Sequence, residues 1–174
     1  MFKKQAALFL LLIPIICFSS CGTLLPSRFE PVKSMSCTLE AKKGDFSFSC
    51  KASCSSYDDV RLEFISPKSL SGLSFCLSNG EIKVDAYGIT DNYPADFLDS
   101  TSPVSLLLFA VRDGLFDARD FTSNGDGTVF TEITVGKTPV KIIYNESGFP
   151  VRIDVFSTGL SALLHYETDF SENR

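Results

Sequence analysis

From Met35 the chain alternates apolar and polar residues with a period of two, the pattern of strands buried on one face. Cys37, Leu39 and Ala41 alternate first. Lys42-Lys43-Gly44-Asp45 then marks a turn, and Phe46, Phe48, Cys50 and Ala52 alternate again. A two-residue Lys43-Gly44 loop sets Cys37 opposite Cys50 in a non-hydrogen-bonded pair, where side chains come closest. A Gly44-Asp45 loop is the competing register and sets Cys37 opposite Ala52. Val60, Leu62 and Phe64 give a third strand ending at Pro67, and Leu73, Phe75 and Leu77 a fourth. Asn79-Gly80 is the strongest hairpin signal, because both residues tolerate the positive φ of a type I′ turn. It predicts facing pairs Leu77–Ile82, Phe75–Val84 and Leu73–Ala86, with Cys76 on the polar face beside Lys83.

Residues 88–102 read as irregular, with a short helical turn near Ala95–Asp99. One clear helix follows. Ser102 is its N-cap, Pro103 its first residue, and Gly114 closes it. Its apolar residues, Val104, Leu106, Leu107, Leu108, Phe109, Ala110 and Val111, cover nearly the whole girth, so the sheet or a ligand must cover them. Strands return at Val129–Val135, Val140–Tyr144, Val151–Phe156 and Ala162–Tyr166. Strands, one main helix and strands again, joined by local hairpins, predict an α+β fold in which an antiparallel sheet wraps the helix. The domain is expected over residues 35–170.

The first twenty residues follow another logic. Lys3 and Lys4 precede an apolar run from Ala6 to Ile16, the length of a signal-peptide core and short for a membrane span. Phe18-Ser19-Ser20-Cys21 resembles the lipobox of bacterial lipoproteins. That resemblance implies a signal peptide over residues 1–20, a diacylated Cys21 and a flexible tether over 21–34. The expected location is the outer, extracytoplasmic face of the cell membrane, held by the N-terminal lipid anchor.

Composition narrows the functions. Loss of residues 1–20 removes two lysines and no acid, which takes the net charge from −5 to −7. That argues against nucleic acid as a partner. Cys37, Cys50, Cys54 and Cys76 remain in a compartment that permits disulfides, and the first register makes Cys37–Cys50 the favoured bridge. The only histidine, His165, sits in a strand and reads as a packing residue. No HExxH, CxxC, GxSxG or phosphate-binding loop is present, so no cofactor, metal or catalytic centre is expected. Asn124-Gly125-Asp126-Gly127-Thr128 lacks the alternating acids of a calcium loop and reads as a hairpin loop. Asp58-Asp59 and Asp113, Asp117 and Asp120 read as solvated surface acids.

Three stretches carry a family likeness: Phe46–Ala52 leading to Val60–Pro67, the NGEIKVDAYG segment at 79–88, and Tyr144–Pro150 followed by Val151-Arg152-Ile153. With them the chain resembles the LolA/LppX-like group of lipoprotein-carrier and lipid-binding domains over roughly residues 35–170. The resemblance implies a strongly curved antiparallel half-barrel closed over helices. The implied function is non-catalytic binding of a lipid or acyl chain between sheet and helix, in a space lined by Phe48, Phe64, Phe75, Leu107 and Val111. Phe46, Phe109, Phe130 and Phe156 are expected to point inward as well. The alternative is an accessory lipoprotein that binds another cell-envelope protein, such as a cell-wall enzyme.

Overall fold

The computed structural model describes residues 29–167; Cys21, the signal segment and the last seven residues lie outside the described residues. Eleven strands form one antiparallel sheet: β1 (Met35–Lys43), β2 (Phe46–Ser56), β3 (Asp59–Ser66), β4 (Leu73–Ser78), β5 (Glu81–Ala86), β6 (Ile89–Pro94), β7 (Thr122–Ser123), β8 (Val129–Val135), β9 (Thr138–Tyr144), β10 (Pro150–Val155) and β11 (Leu160–His165). Their spatial order is β6-β5-β4-β3-β2-β1-β11-β10-β9-β8-β7. The two halves of the chain therefore join at the β1–β11 pair, and β6 and β7 are the two edges. A 3-10 turn at Ala95–Phe97 and the helix α1 (Pro103–Phe116) carry the chain from one edge to the other.

The helix packs on both β3 and β8. Six strand spacings separate those two strands in the sheet order, about 29 Å if the sheet were flat. A helix of 14 residues, about 21 Å long and 10–12 Å wide, falls short of that distance whichever way it lies. The sheet must curl around it, as the expected half-barrel requires, and its two edges stay unpaired among the described residues. Alternate residues of the inner strands supply the buried lining: Leu39 and Ala41, Phe48 and Cys50, Leu62 and Phe64, Val140 and Ile142, Ala162 and Leu164. No residue of α1 is fully exposed.

Local chemistry explains the helix limits. The Ser102 hydroxyl accepts from the Ser105 backbone N–H at 3.1 Å, and Pro103 follows it. Gly114 does not end the helix, which runs on to Phe116. The glycine is there for clearance. A Cβ at this position would lie 2.5 Å from Ile142 Cδ1 and 3.1 Å from Tyr144 Oη, and the Tyr144 hydroxyl donates to the Gly114 carbonyl at 2.8 Å. Lys33 Nζ donates to the Leu115 carbonyl at 2.8 Å, a cation on the carbonyl-rich helix end. Residues 29–33, expected as tether, are thus part of the domain. Phe29 also packs on Phe121 and Tyr144, with ring centroids 4.9 and 5.6 Å away.

The first hairpin takes the competing register. Lys43 pairs with Phe46, so Gly44-Asp45 is the loop, Cys37 faces Ala52 and Leu39 faces Cys50. Gly44 has φ +61° and holds the first loop position, where a type II′ turn demands positive φ; a Lys43-Gly44 loop would put that demand on a lysine. The expected Cys37–Cys50 bridge is corrected accordingly. The two cysteines are diagonal neighbours, for which about 7–8 Å is typical, whereas a bridge needs Cβ atoms about 3.5–4.5 Å apart. Cys37, Cys50, Cys54 and Cys76 are all free thiols. The Asn79-Gly80 hairpin has the expected pairs, with Cys76 beside Lys83.

Two regions depart from the expected elements. Residues 89–94, read as irregular, form the edge strand β6. Three phenylalanines expected inside are not there. Phe46 sits at the open start of β2, Phe156 lies in an exposed turn, and Phe130 lies alternate to buried Val129 and Thr131 with Lys141 Nζ 3.7 Å over its ring.

Candidate functional site

The five residues expected to line a cavity are drawn together, but into packed core. Phe48 and Phe64 have ring centroids 5.2 Å apart, and Phe64 and Phe75 6.1 Å apart in an edge-on pair. Leu107 and Val111, one helical turn apart, are buried in the same cluster. Leu107 has no exposed surface and Val111 only 2%. Phe75 alone among the five is partly exposed.

Space opens beside the helix instead. One side of α1 presents Ser105, Phe109, Arg112 and Asp113, spaced to share a face. Across from it lie Ala95, Leu98, Asp99 and Ser100 of the β6–α1 connection, and Val135 and Gly136 at the end of β8. Together they bound an open groove of about 620 Å³. Ala95, Leu98, Phe109 and Val135 supply apolar wall. Asp96, Asp99 and Asp113 against the single Arg112 make its rim net acidic.

The walls are held by specific contacts. The Ala95 N–H donates to the Gly80 carbonyl at 3.1 Å, which ties the 3-10 turn to the β4–β5 hairpin. Phe97 stacks on Tyr93, with centroids 4.1 Å apart and planes 17° from parallel. Asp99 Oδ1 accepts from both the backbone N–H and the hydroxyl of Thr101, each at 2.7 Å. These bonds hold the Asp99 carboxyl below the usual carboxylate range. Arg112 is fixed on three sides. Its guanidinium lies 4.8 Å from the rings of both Tyr57 and Phe109, and its Nε donates to Asp113 Oδ1 at 2.6 Å.

Two other grooves lie elsewhere on the molecule. One of about 480 Å³ lies over β1, β2 and β11 and is walled by Glu40, Lys42, Ser47, Ser49, Arg152 and Ser161. It includes Phe48, the one predicted cavity residue found at any of the three grooves. The other, of about 640 Å³, is formed by Met35, Cys54, Phe149 and Tyr166 among polar neighbours. It also includes Glu167.

The remaining chemistry-bearing side chains are accounted for locally. His165 Nε2 lies 3.7 Å from Glu40 Oε2 in an exposed pair, which contributes little. In the 124–128 loop, Asp126 Oδ1 accepts from Thr128 N and Asn124 Nδ2 donates to Thr128 Oγ1, the bonds of a self-contained turn. Cys37, Cys50 and Cys54 are buried among apolar neighbours. Burial pushes the first two thiols up to about 12 and the third to about 11, the opposite of nucleophile activation.

Leu98, Val135 and Arg112 had no signal in the sequence as groove residues, because the groove exists only where the β6–α1 connection folds back over the helix. Phe109 was legible as an apolar helix position, but not as a wall.

No protein-family model and no curated protein matches this chain. Among solved structures it is similar to a LolA superfamily protein from Nitrosomonas europaea, at 12% identity and a TM-score of 0.44, over 80% of this chain and 86% of that one. It is also similar to a chain in the structure of the CwlD amidase from Clostridioides difficile in complex with the GerS lipoprotein. There the identity is 18% and the TM-score 0.43, over 82% of this chain and 88% of that one. Both likenesses concern the fold.

Proposed function

We propose that this chain is a membrane-anchored, non-catalytic lipoprotein that binds a hydrophobic ligand, a lipid or acyl chain, in the groove between α1 and the Ala95–Ser100 connection. One observation carries the reading. The groove of about 620 Å³ has Leu98, Phe109 and Val135 as apolar wall, within the size range of small-molecule sites. Burial of an alkyl chain there contributes about 25 cal/mol per Å². The acidic rim disfavours an anionic headgroup, so the bound species is neutral or cationic at that end. The space expected beneath the helix is not the site, since Leu107 and Val111 are core.

A neutral probe, dansyl-undecanamide, tests the reading by its fluorescence gain on the chain from residue 22. Ala95→Trp should fill the groove and abolish the gain, while Leu163→Trp on the outer face should not. A gain equal in both variants would move the ligand elsewhere. Anchoring rests on the sequence around Cys21 and has its own test: Cys21→Ser should lose acyl labelling and leave the membrane fraction. Retention after a carbonate wash would make residues 6–16 an uncleaved anchor instead.

A further inference from the structure

The β6 edge offers a second, independent surface. Its hairpin with β5 turns through Tyr87 and Gly88, both at positive φ, and closes with the Ala86–Ile89 pair. In a two-residue hairpin the closing pair exchanges both backbone hydrogen bonds, and bonded pairs then alternate. Ile89, Asp91 and Tyr93 thus turn their N–H and C=O groups to β5. The Ala95 N–H bond to the Gly80 carbonyl continues the same phase. Thr90 and Asn92 turn theirs away from the sheet. Every residue of β6 except Tyr93 is exposed. The opposite edge, β7, has only two residues.

The surroundings select the occupant. From Val84 to Val111 the chain carries Asp85, Asp91, Asp96 and Asp99 and no lysine, arginine or histidine, and the one cation paired with β6, Lys83 opposite Asn92, lies on the sheet face opposite to that of Asp91. Two antiparallel β6 strands that pair Thr90 with Asn92 would set Asp91 opposite Asp91, which is destabilising for cross-strand neighbours. Ile89, 75% exposed, and Tyr87, 70% exposed, flank the start of the strand. Pro94, with no N–H, ends the pairing edge.

We infer that β6 accepts an extended segment of another protein, added as a further strand, with lysine or arginine placed to meet Asp91 and an apolar residue placed to meet Ile89. The backbone groups of Thr90 and Asn92 supply affinity, and the aspartates select the sign of charge. This surface adjoins the groove, whose wall begins at Ala95 just after β6, but the inference does not depend on ligand binding there.

The test uses the full chain in detergent micelles and a fluorescein-labelled peptide, Thr-Lys-Val-Lys-Thr-Val, read by anisotropy. Binding should be measurable at low salt and should weaken at least tenfold in Asn92→Pro, which removes an outward N–H. It should weaken severalfold in Asp91→Asn or in raised salt. The peptide with glutamate for lysine should not bind. A lysine peptide N-methylated at alternate amides should also fail, and that arm leaves the protein unchanged. No binding of the lysine peptide would overturn the inference, as would equal binding of the methylated peptide. A concentration-dependent dimer abolished by Asn92→Pro would also overturn it, by making a second copy the occupant.

Discussion

Replacing Gly114 with alanine tests how closely α1 packs on β9. On an open helix face the change stabilises, because alanine is better than glycine by about 0.8–1 kcal/mol in a helix interior. Here the new Cβ would stand 2.5 Å from Ile142 Cδ1 and 3.1 Å from Tyr144 Oη. The isoleucine end can swing, but it is fully packed. The tyrosine is held by its bond to the Gly114 carbonyl. Overpacking of this kind costs about 1–3 kcal/mol, and a strained hydrogen bond forfeits part of about 1 kcal/mol more. The net expectation is a loss of about 1–2 kcal/mol, opposite in sign to helix propensity. Urea unfolding of the chain from residue 22 measures it. Ile142→Val removes the Cδ1 atom and alone costs about 0.5–1.5 kcal/mol. In the double variant the two losses should fall short of their sum by about 1 kcal/mol, since the clash is gone. A stabilising Gly114→Ala, or strictly additive losses, would refute the close approach of helix and strand.

Other outcomes follow from the same packing. Leu107→Ala should cost the full core penalty of about 2–5 kcal/mol by denaturant unfolding; a loss well under 1 kcal/mol would place a void beneath the helix after all. Ser102→Ala should cost about 1 kcal/mol through the lost N-cap, with no change in the denaturant slope. Stability should be flat with pH from about 6 to about 8, where thiols are neutral in both folded and unfolded chains. Above that the unfolded chain releases protons that Cys37, Cys50 and Cys54, held near 12, 12 and 11, retain when folded. Stability should then fall by about 4 kcal/mol per pH unit for the three thiols together, until about pH 11. Circular dichroism and thiolate absorbance should change in one transition; three thiolates appearing near pH 9 with the fold intact would contradict the burial.

Period-two alternation marked most of the strands because their inner residues, such as Leu39, Leu62 and Ile142, are buried on one face only. Asn79-Gly80 set its hairpin register because turn chemistry there is local. The Lys42–Asp45 turn was ambiguous for a physical reason. Glycine fits the second position of one loop and the first of the other, and only the left-handed demand at Gly44 separates them. Strand β6 was illegible because its Thr90, Asp91, Asn92 and Pro94 bury little, and a pattern of burial cannot mark a strand exposed on both faces. The groove was hidden for a different reason. Its walls come from α1, the β6–α1 connection and β8, which only the curl of the sheet brings together. Gly114 read as a helix stop because sequence shows the missing side chain and not the tyrosine that needs the room.

Ligand entry beside α1 is the central claim, and equilibrium binding of dansyl-undecanamide to wild-type chain and to Phe109→Ala and Leu98→Ala tests it most directly. Both residues are half-buried groove wall that also packs on the core, so binding is compared under conditions where urea unfolding shows each variant still folded. Saturable binding to wild type at one site and a severalfold weaker affinity in each folded variant are expected, with unfolding midpoints lowered by the lost packing. No saturable binding to wild type, or affinities unmoved by both substitutions, would contradict it.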